Sequence, residues 1–477
     1  MARYPRVAVV GTGPSGISAV KALHEEKAFD TIRVFERRNK PGGVWHLDPI
    51  PDVFPAPKNP YSARKQIPST LPQFSAPGPE DTTARTGVYE SLDSNVGIKA
   101  MEFTHTPFPV INSALSVERY GHSNPTRPWQ VVSRYLDDLA KDYLHLISFN
   151  TTVERVKKIG GKWTVTLRRT DMTHHGQPAD YWWQEHFDAV IVASGHYNVP
   201  LVPEVKGLDA AFKAHPTKLE HAKSFRSAND YVDKKVVVVG GNVSSADLVA
   251  DLHAIIKGPL YVSQRGRNDA FRFAWDLPNV ELKPTLQSIK ASDASISVTF
   301  TDNTTVDNID KLIFATGYRL SYPFLDPDPV TPNNRVAGFY QHVFKVGDPS
   351  LALVGQVRAA ISFRVYEYQA VAVARYFAGH NAKPLPSPQK QDLWEFERLK
   401  YRGPTTDFHT LRPDFKEYFD FLRDLAGPPA AGTDGYELPS WDDKWAEWAW
   451  EIPILKERYW RSRHQDKTIS NAVRAKL

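Results

Sequence analysis

Apolar residues in this chain fall into short unbroken runs, each ended by a glycine turn and followed by apolar positions at helical spacing. The first run, Arg6-Val7-Ala8-Val9-Val10, is rich in β-branched residues and predicts a buried parallel strand. Ile17 to Leu23 then repeats apolar residues at helical spacing, and Ile32-Arg33-Val34-Phe35 predicts a second strand. The order returns later: a strand at Lys234–Val239, a helix through Leu248–Leu252 and a strand at Leu260–Gln264. Two other runs, Phe187–Tyr197 and Ile309–Tyr318, share one design of acidic residue, apolar run, small residue, Ser or Thr, Gly and aromatic, and are read as two crossings between lobes.

Between these units the pattern is more varied. Residues 49–87 are rich in Pro, Ser and Thr and predict a long surface excursion. Val131, Val132, Tyr135, Leu136, Leu139 and Tyr143 lie on one face of a helix from about Trp129 to Tyr143. Leu146–Phe149 reads as a strand, and Val153–Val156 with Trp163–Leu167 as paired antiparallel strands. The polar and aromatic segment 170–186 reads as a loop at a hairpin end, and residues 280–306 as a short β-meander. Asp348–Gly355 is a strand and Tyr366–Phe377 a helix containing Gln369. Residues 384–460 carry Trp394, Trp441, Trp445, Trp448, Trp450 and Trp460, a cluster expected to serve packing or a subunit contact, so that a homo-oligomer stays open. The predicted fold class is α/β, with two Rossmann-like dinucleotide-binding units and a mostly helical, Trp-rich C-terminal extension.

Two turns carry the candidate chemistry. Gly11-Thr12-Gly13-Pro14-Ser15-Gly16 follows a strand, opens a helix and is followed at the end of the next strand by Glu36, which is the dinucleotide fingerprint in its proper context. Gly11 makes the tight turn, Gly13 admits the pyrophosphate and Gly16 lets helix and strand pack. The helix N-terminus offers unpaired N–H groups, and Glu36 would accept bonds from ribose hydroxyls. Gly42-Gly43-Val44-Trp45-His46 then suggests backbone passing beside a flat ring. In the second turn, Gly240-Gly241-Asn242-Val243-Ser244-Ser245, Asn stands where a second glycine is usual. Asn tolerates a left-handed backbone better than other residues, so the turn is expected to survive. Its following strand ends in Arg265-Gly266-Arg267 with no carboxylate, which suits the 2′-phosphate of NADP.

Composition narrows the functions. The 477 residues carry a net charge of +5, with no Lys/Arg run that argues for nucleic acid. There is no cysteine, so a redox dithiol and a thiolate metal site are excluded, and no metal site is expected. The first strand begins too close to Met1 for a secretory leader, and no run of about 18 apolar residues predicts a membrane span. The expected location is the cytoplasm, with Ala475-Lys476-Leu477 as a terminus of the peroxisomal S-K-L type.

Over residues 5–380 the chain resembles the flavin-containing monooxygenases. The likeness rests on Gly11/Gly13/Gly16 with Glu36, Gly42-Gly43-Val44-Trp45, Tyr89-x-Ser91-Leu92-x-x-Asn95, Ala193-Ser194-Gly195-His196-Tyr197, the Gly240 turn and Ala315-Thr316-Gly317-Tyr318. The resemblance implies FAD on the first unit, NADPH on the second and O2 as co-substrate. Residues 1–200 and 319–384 would form the FAD domain, 201–318 an inserted NADPH domain and 385–477 the extension. FAD would be held by Gly11, Gly13, Pro14, Ser15, Gly16, Glu36, Gly43, Val44, Trp45, His46, Val153 and Gln369. NADPH would be held by Tyr197, Asn242, Ser244, Ser245, Ser263, Arg265 and Arg267. The family also implies a C4a-hydroperoxyflavin that oxygenates a soft nitrogen or sulfur nucleophile on a small molecule, with Asn95 directing its amide at the reacting centre. In the family's linker signature this chain has Phe212, then Ala214 in place of glycine, then three extra residues before His221 and Phe225. Baeyer–Villiger relatives carry Trp where this chain has Phe225. Ketone oxygenation is the alternative within the class, and an NADPH-dependent flavin reductase or oxidase the alternative outside it.

Overall fold

A computed structural model describes residues 3–56, 66–78 and 84–474, with side chains as far as residue 462; the Ala475-Lys476-Leu477 terminus lies outside the described residues. Val7, Ala8, Val9 and Val10 are buried, as a strand enclosed on both faces requires. Arg6–Val10 forms parallel ladders with Thr31–Phe35 on one side and Ala189–Val192 on the other. Leu351–Leu353 and Ile147–Ser148 extend this sheet in parallel register, and Phe339–Tyr340 with Phe344–Lys345 add an antiparallel edge, making seven strands. The helix Pro14–Glu25 packs on Ser362–Ala378, a helix buried along nearly its whole length.

The second parallel sheet has five strands, ordered Leu219–His221, Lys311–Phe314, Val236–Val239, Leu260–Ser263 and Val280–Lys283. The predicted meander over 280–306 is therefore split. Val280–Lys283 completes the parallel sheet, whereas Leu286–Ala291, Ile296–Phe300 and Thr305–Ile309 form a separate antiparallel one. The two crossings between lobes pair with each other, Val199–Pro200 running antiparallel to Tyr318–Arg319.

Two other expectations need correction. Segment 170–186 is not a loop. Lys162–His174 and Gln177–Phe187 form a long hairpin turned by His175 and Gly176, both at positive φ, as the right-handed strand twist demands of a two-residue turn. A buried ion network disguised it: Asp180 and Glu154 both pair with Arg168, at 2.8 and 2.5 Å, so polar residues occupy inward positions. Residues 49–87 are also more than a surface excursion. Phe54 is buried among Phe212 and Phe314 of the second lobe, worth about 2 kcal/mol by burial, and Gln73–Ser75 adds an edge strand to the hairpin. The helix from Trp129 ends at Ala140 and continues as tighter turns to Leu146.

The extension is helical, with Pro388–Arg402, Phe415–Ala426 and Glu451–Arg474 its longest helices. Trp441 and Trp445 pack with Phe419 against Tyr368 of the first lobe. Among the described residues no helix is long and apolar enough to cross a membrane.

Candidate functional site

Each glycine turn is built around a backbone contact that a side chain would block. Gly11 lies at φ +99, and a Cβ there would stand 2.7 Å from the Ala193 carbonyl oxygen. Gly240 lies at φ +141, with the Ala315 carbonyl oxygen at 2.3 Å from its would-be Cβ. Ala193 and Ala315 also donate their N–H groups to Val10 and Val239, at 2.9 and 2.7 Å. This explains the small residue shared by the twin runs: each belongs to a neighbouring strand whose carbonyl lies over the glycine of the turn. Gly16 is packing rather than lining, since a Cβ would fall 2.0 Å from the Gly11 oxygen. Gly43 puts its backbone against Gly13, where a Cβ would meet the Gly13 Cα at 2.8 Å.

The first turn fits a dinucleotide pyrophosphate. The helix begins with Pro14 at its first position, and no side chain caps its end. Its N–H groups and positive dipole end are therefore left for an anion at the cleft. Glu36 is buried and held in place: Oε2 accepts from the Thr12 N–H and hydroxyl, both at 2.8 Å, and Oε1 from the Arg38 N–H at 2.8 Å. Gly13, Pro14, Ser15, Glu36, Gly43, Val44, Trp45 and Val153 line one cleft.

At the second turn Asn242 is not left-handed. Its φ of −127° is extended, and its side chain caps the helix Val243–Leu252 by accepting from the Val243 N–H at 2.9 Å. The residue survives there as a cap. Asn242, Ser244, Ser263 and Arg265 line the cleft, with Arg265 exposed. Ser245 instead donates to the Gly240 carbonyl at 2.9 Å. Arg267 is engaged by Asp269 and Asp276, at 2.9 and 2.6 Å, outside the cleft wall. His46 and Gln369 also lie behind the wall. His46 donates to the Pro41 carbonyl and meets Ser133 at 3.0 Å, with its pKa lowered by burial. Gln369 accepts from the Gly355 N–H at 2.7 Å and donates to Tyr418 at 2.8 Å, so it shapes the cleft through Gly355.

Both turns open onto this same cleft, of about 1830 Å³, and Asn95 is exposed on its wall. Tyr197 and Tyr318, from the two crossings, approach edge to face at 5.6 Å. His221 donates from Nε2 to the Gly317 carbonyl at 3.0 Å and accepts at Nδ1 from the Lys223 N–H at 3.1 Å, which fixes its tautomer. Buried Lys223 then ties Asn198 to Asp52, at 2.7 and 2.6 Å. The linker runs as the helix Leu208–Ala214, a turn at Pro216–Lys218 and the strand Leu219–His221, and Phe225 is buried between Tyr89 and Tyr231 away from the cleft. His196 also lines the cleft, and burial lowers its pKa to about 4, leaving it uncharged at neutral pH.

Sequence reasoning missed the rest of the lining. Arg358, Phe363 and Tyr366 come from the return segment, and Asp407, His409 and Trp450 from the extension. Gln264, one residue before Arg265, also borders the cleft. No spacing rule links these positions, and those of the extension reach the cleft only because it folds back over the first lobe.

Comparison with known proteins agrees with this arrangement. Residues 259–429 match a family described as flavin-binding monooxygenase-like, residues 99–258 one described as pyridine nucleotide-disulphide oxidoreductase, and residues 9–60 an NAD(P)-binding Rossmann-like domain. The chain is 30% identical to flavin-containing monooxygenase FMO GS-OX-like 7 of Arabidopsis thaliana, over 83% of this chain and 77% of that protein. It is 28% identical to flavin-containing monooxygenase iboF of Amanita muscaria, over 87% and 84% of the two chains. Its fold is similar to that of S-allyl-L-cysteine S-oxygenase from Allium sativum, at a TM-score of 0.72, with 23% identity and 98% of each chain covered. It is also similar to Tmm from a Pelagibacter strain, at a TM-score of 0.67, with 19% identity and 96% and 90% covered.

Proposed function

The chain belongs to the flavin-containing monooxygenase family, and on that premise we propose that it uses NADPH and O2 to oxygenate a soft nucleophile, sulfur or nitrogen, on a small molecule. The observation that carries this reading is the single cleft onto which both glycine turns and Asn95 open. When bound, FAD and NADPH supply reducing equivalents and a ring system that activates O2. Gly11, Gly13, Ser15 and the helix end behind them would hold the FAD pyrophosphate, and Glu36 its ribose. Gly43, Val44 and Trp45 would border the ring, and Val153 lines the cleft close to Glu36, whose carbonyl accepts from the Thr151 N–H at 2.8 Å. Asn242, Ser244 and Arg265 would hold the phosphates of NADPH, the Arg265 guanidinium matching a 2′-phosphate by bidentate pairing.

Two residues on the cleft wall can bind without giving up protons. Asn95 offers two Nδ2–H donors on a neutral amide, which can hydrogen-bond oxygen yet has no proton acidic enough to transfer. His196, uncharged at neutral pH, adds no acid to the cleft. Bacillithiol disulfide reductase shares much of the fold, at a TM-score of 0.51, but a chain with no cysteine has no dithiol to oxidise. Sulfur is supported by the garlic protein, whose described activity is S-oxygenation.

The test is oxygen uptake by the flavin-loaded protein with NADPH and one of three probes: methyl phenyl sulfide, N,N-dimethylaniline or cyclohexanone. Stoichiometric sulfoxide or N-oxide is expected. NADPH oxidation without an oxygenated product, or conversion of the ketone alone to its ester, overturns the reading.

A further inference from the structure

The C-terminal extension touches both lobes, and its middle passes beside Asn95. Its first part is anchored on the FAD-side lobe by Trp441 and Trp445, packed with Phe419 and Tyr368. The chain then meets the loop that carries Asn95. A Cβ on Gly97 would lie 2.8 Å from Glu451 Oε2 and 3.5 Å from the Trp448 carbonyl oxygen, so the extension sits directly on that loop. Lys99 Nζ also lies 5.4 Å from the Trp448 ring centre.

The far end is fastened to the other lobe. Lys456 Nζ pairs with Asp247 Oδ1 at 2.5 Å, and Glu457 accepts from Arg272 at 2.8 Å. Trp460 closes against His253, with ring centres 5.5 Å apart. Between the two anchorages, Ala449, Trp450, Ile452 and Pro453 line the cleft. The Trp450 indole is the largest of these groups, and the Arg412 guanidinium lies 4.3 Å over its ring. Val96, Met101 and Phe363 line the cleft near the same loop.

We propose that residues 447–460 are a strap across the two lobes, and that Trp450 within it walls the substrate pocket beside Asn95 and limits the bulk of the sulfide or amine admitted. The assignment rests on the monooxygenase reading above. Its physical basis is rigidity. A strap free at one end would yield to a larger substrate, whereas one held by packing on one lobe and ion pairs on the other presents a fixed wall. Apolar pockets discriminate mainly by such steric limits, each added carbon shifting selectivity by about ten- to two-hundredfold.

The test compares kcat/KM for benzyl phenyl sulfide with that for dimethyl sulfide, in wild type, Trp450→Ala, Trp450→Leu and Trp450→Phe, with flavin content and thermal melting recorded for each. Trp450→Ala and Trp450→Leu are expected to raise the bulky-to-small ratio by about tenfold or more at unchanged flavin content. Trp450→Phe is expected to stay within about threefold of wild type, as a ring of similar reach would. An unchanged ratio in a flavin-loaded Trp450→Ala or Trp450→Leu protein overturns the assignment while leaving the monooxygenase reading intact. Wild type that oxygenates no sulfide and no amine overturns both.

Discussion

Lys456 Nζ lies 2.5 Å from Asp247 Oδ1, joining the C-terminal helix to the helix that starts at the second glycine turn. Each side chain retains only 21% exposure, so the pair is screened less than one on an open surface. A double-mutant cycle with Lys456→Met and Asp247→Asn should return a coupling of about 1 kcal/mol in denaturant unfolding. Additive losses would mean that this pair does not bind the helix to the lobe.

Asn95 is exposed on the cleft wall shared by both turns. Asn95→Ala should keep its flavin and still oxidise NADPH, while releasing hydrogen peroxide in place of oxygenated product. Product and peroxide are measured together, and normal coupling in the variant would remove Asn95 from the reaction.

The two arginines that end the strand Leu260–Ser263 should differ sharply. Arg265 is exposed in the cleft, whereas Arg267 is already held by Asp269 and Asp276. Arg265→Ala should raise KM for NADPH about tenfold, a loss near 1.4 kcal/mol, with little change for NADH. Arg267→Ala should stay within about twofold of wild type. Equal effects from both substitutions would contradict the assignment of the 2′-phosphate to Arg265.

Acid should destabilise the fold through buried histidines. His221 is held to about 3 and His196 to about 4, both chiefly by burial, and His342 and His409 are lowered well below the usual value for the same reason. Unfolded histidines take up protons near pH 6.5. Below that pH the unfolded chain therefore gains protons that the folded chain refuses, and stability falls as pH drops. Asp251, raised to about 6 by burial, works the other way, because its folded form binds the proton more readily. His221→Gln isolates one contribution. It should flatten the slope of unfolding free energy between pH 6 and pH 4 by about 1.4 kcal/mol per pH unit. Parallel slopes would show that His221 titrates normally.

Much of the site could be read before any coordinates, because the demands of a nucleotide turn are local. Gly11, Gly16 and Gly240 are needed by backbone contacts made within a strand, a turn and the strand beside them. Glu36 follows from the strand length, and Arg265 from the absence of a carboxylate at the matching place. Asn242 suits the turn for a reason the spacing does not give: it caps the helix and does not adopt the left-handed backbone expected of it. The second strand of the hairpin over 162–187 is not legible because Arg168 and Asp180 within it pair with each other, and Arg168 also with Glu154 of the neighbouring strand, so polar residues facing inward erase the alternation that marks a strand.

His46, Gln369, Ser245 and Arg267 have the residue types expected of ligand contacts, yet each is spent on the protein itself, on Pro41, Gly355, Gly240 and Asp276 respectively. Whether a polar side chain faces a ligand or a neighbour depends on what packs beside it, and that neighbour comes from elsewhere in the chain.

The strand–turn–helix order of the two glycine-turn units, the two candidate dinucleotide cradles and the exclusion of dithiol chemistry were determined by the sequence alone, since each follows from spacing, from glycine's lack of a Cβ or from the missing cysteine. The meeting of both cradles at one cleft, and the return of Trp450 and Lys456 from the end of the chain to close it, were decided only by the tertiary structure. Contacts between residues hundreds of positions apart arise when packed lobes bury their remaining apolar surface together, and nothing in local spacing encodes where that surface will meet.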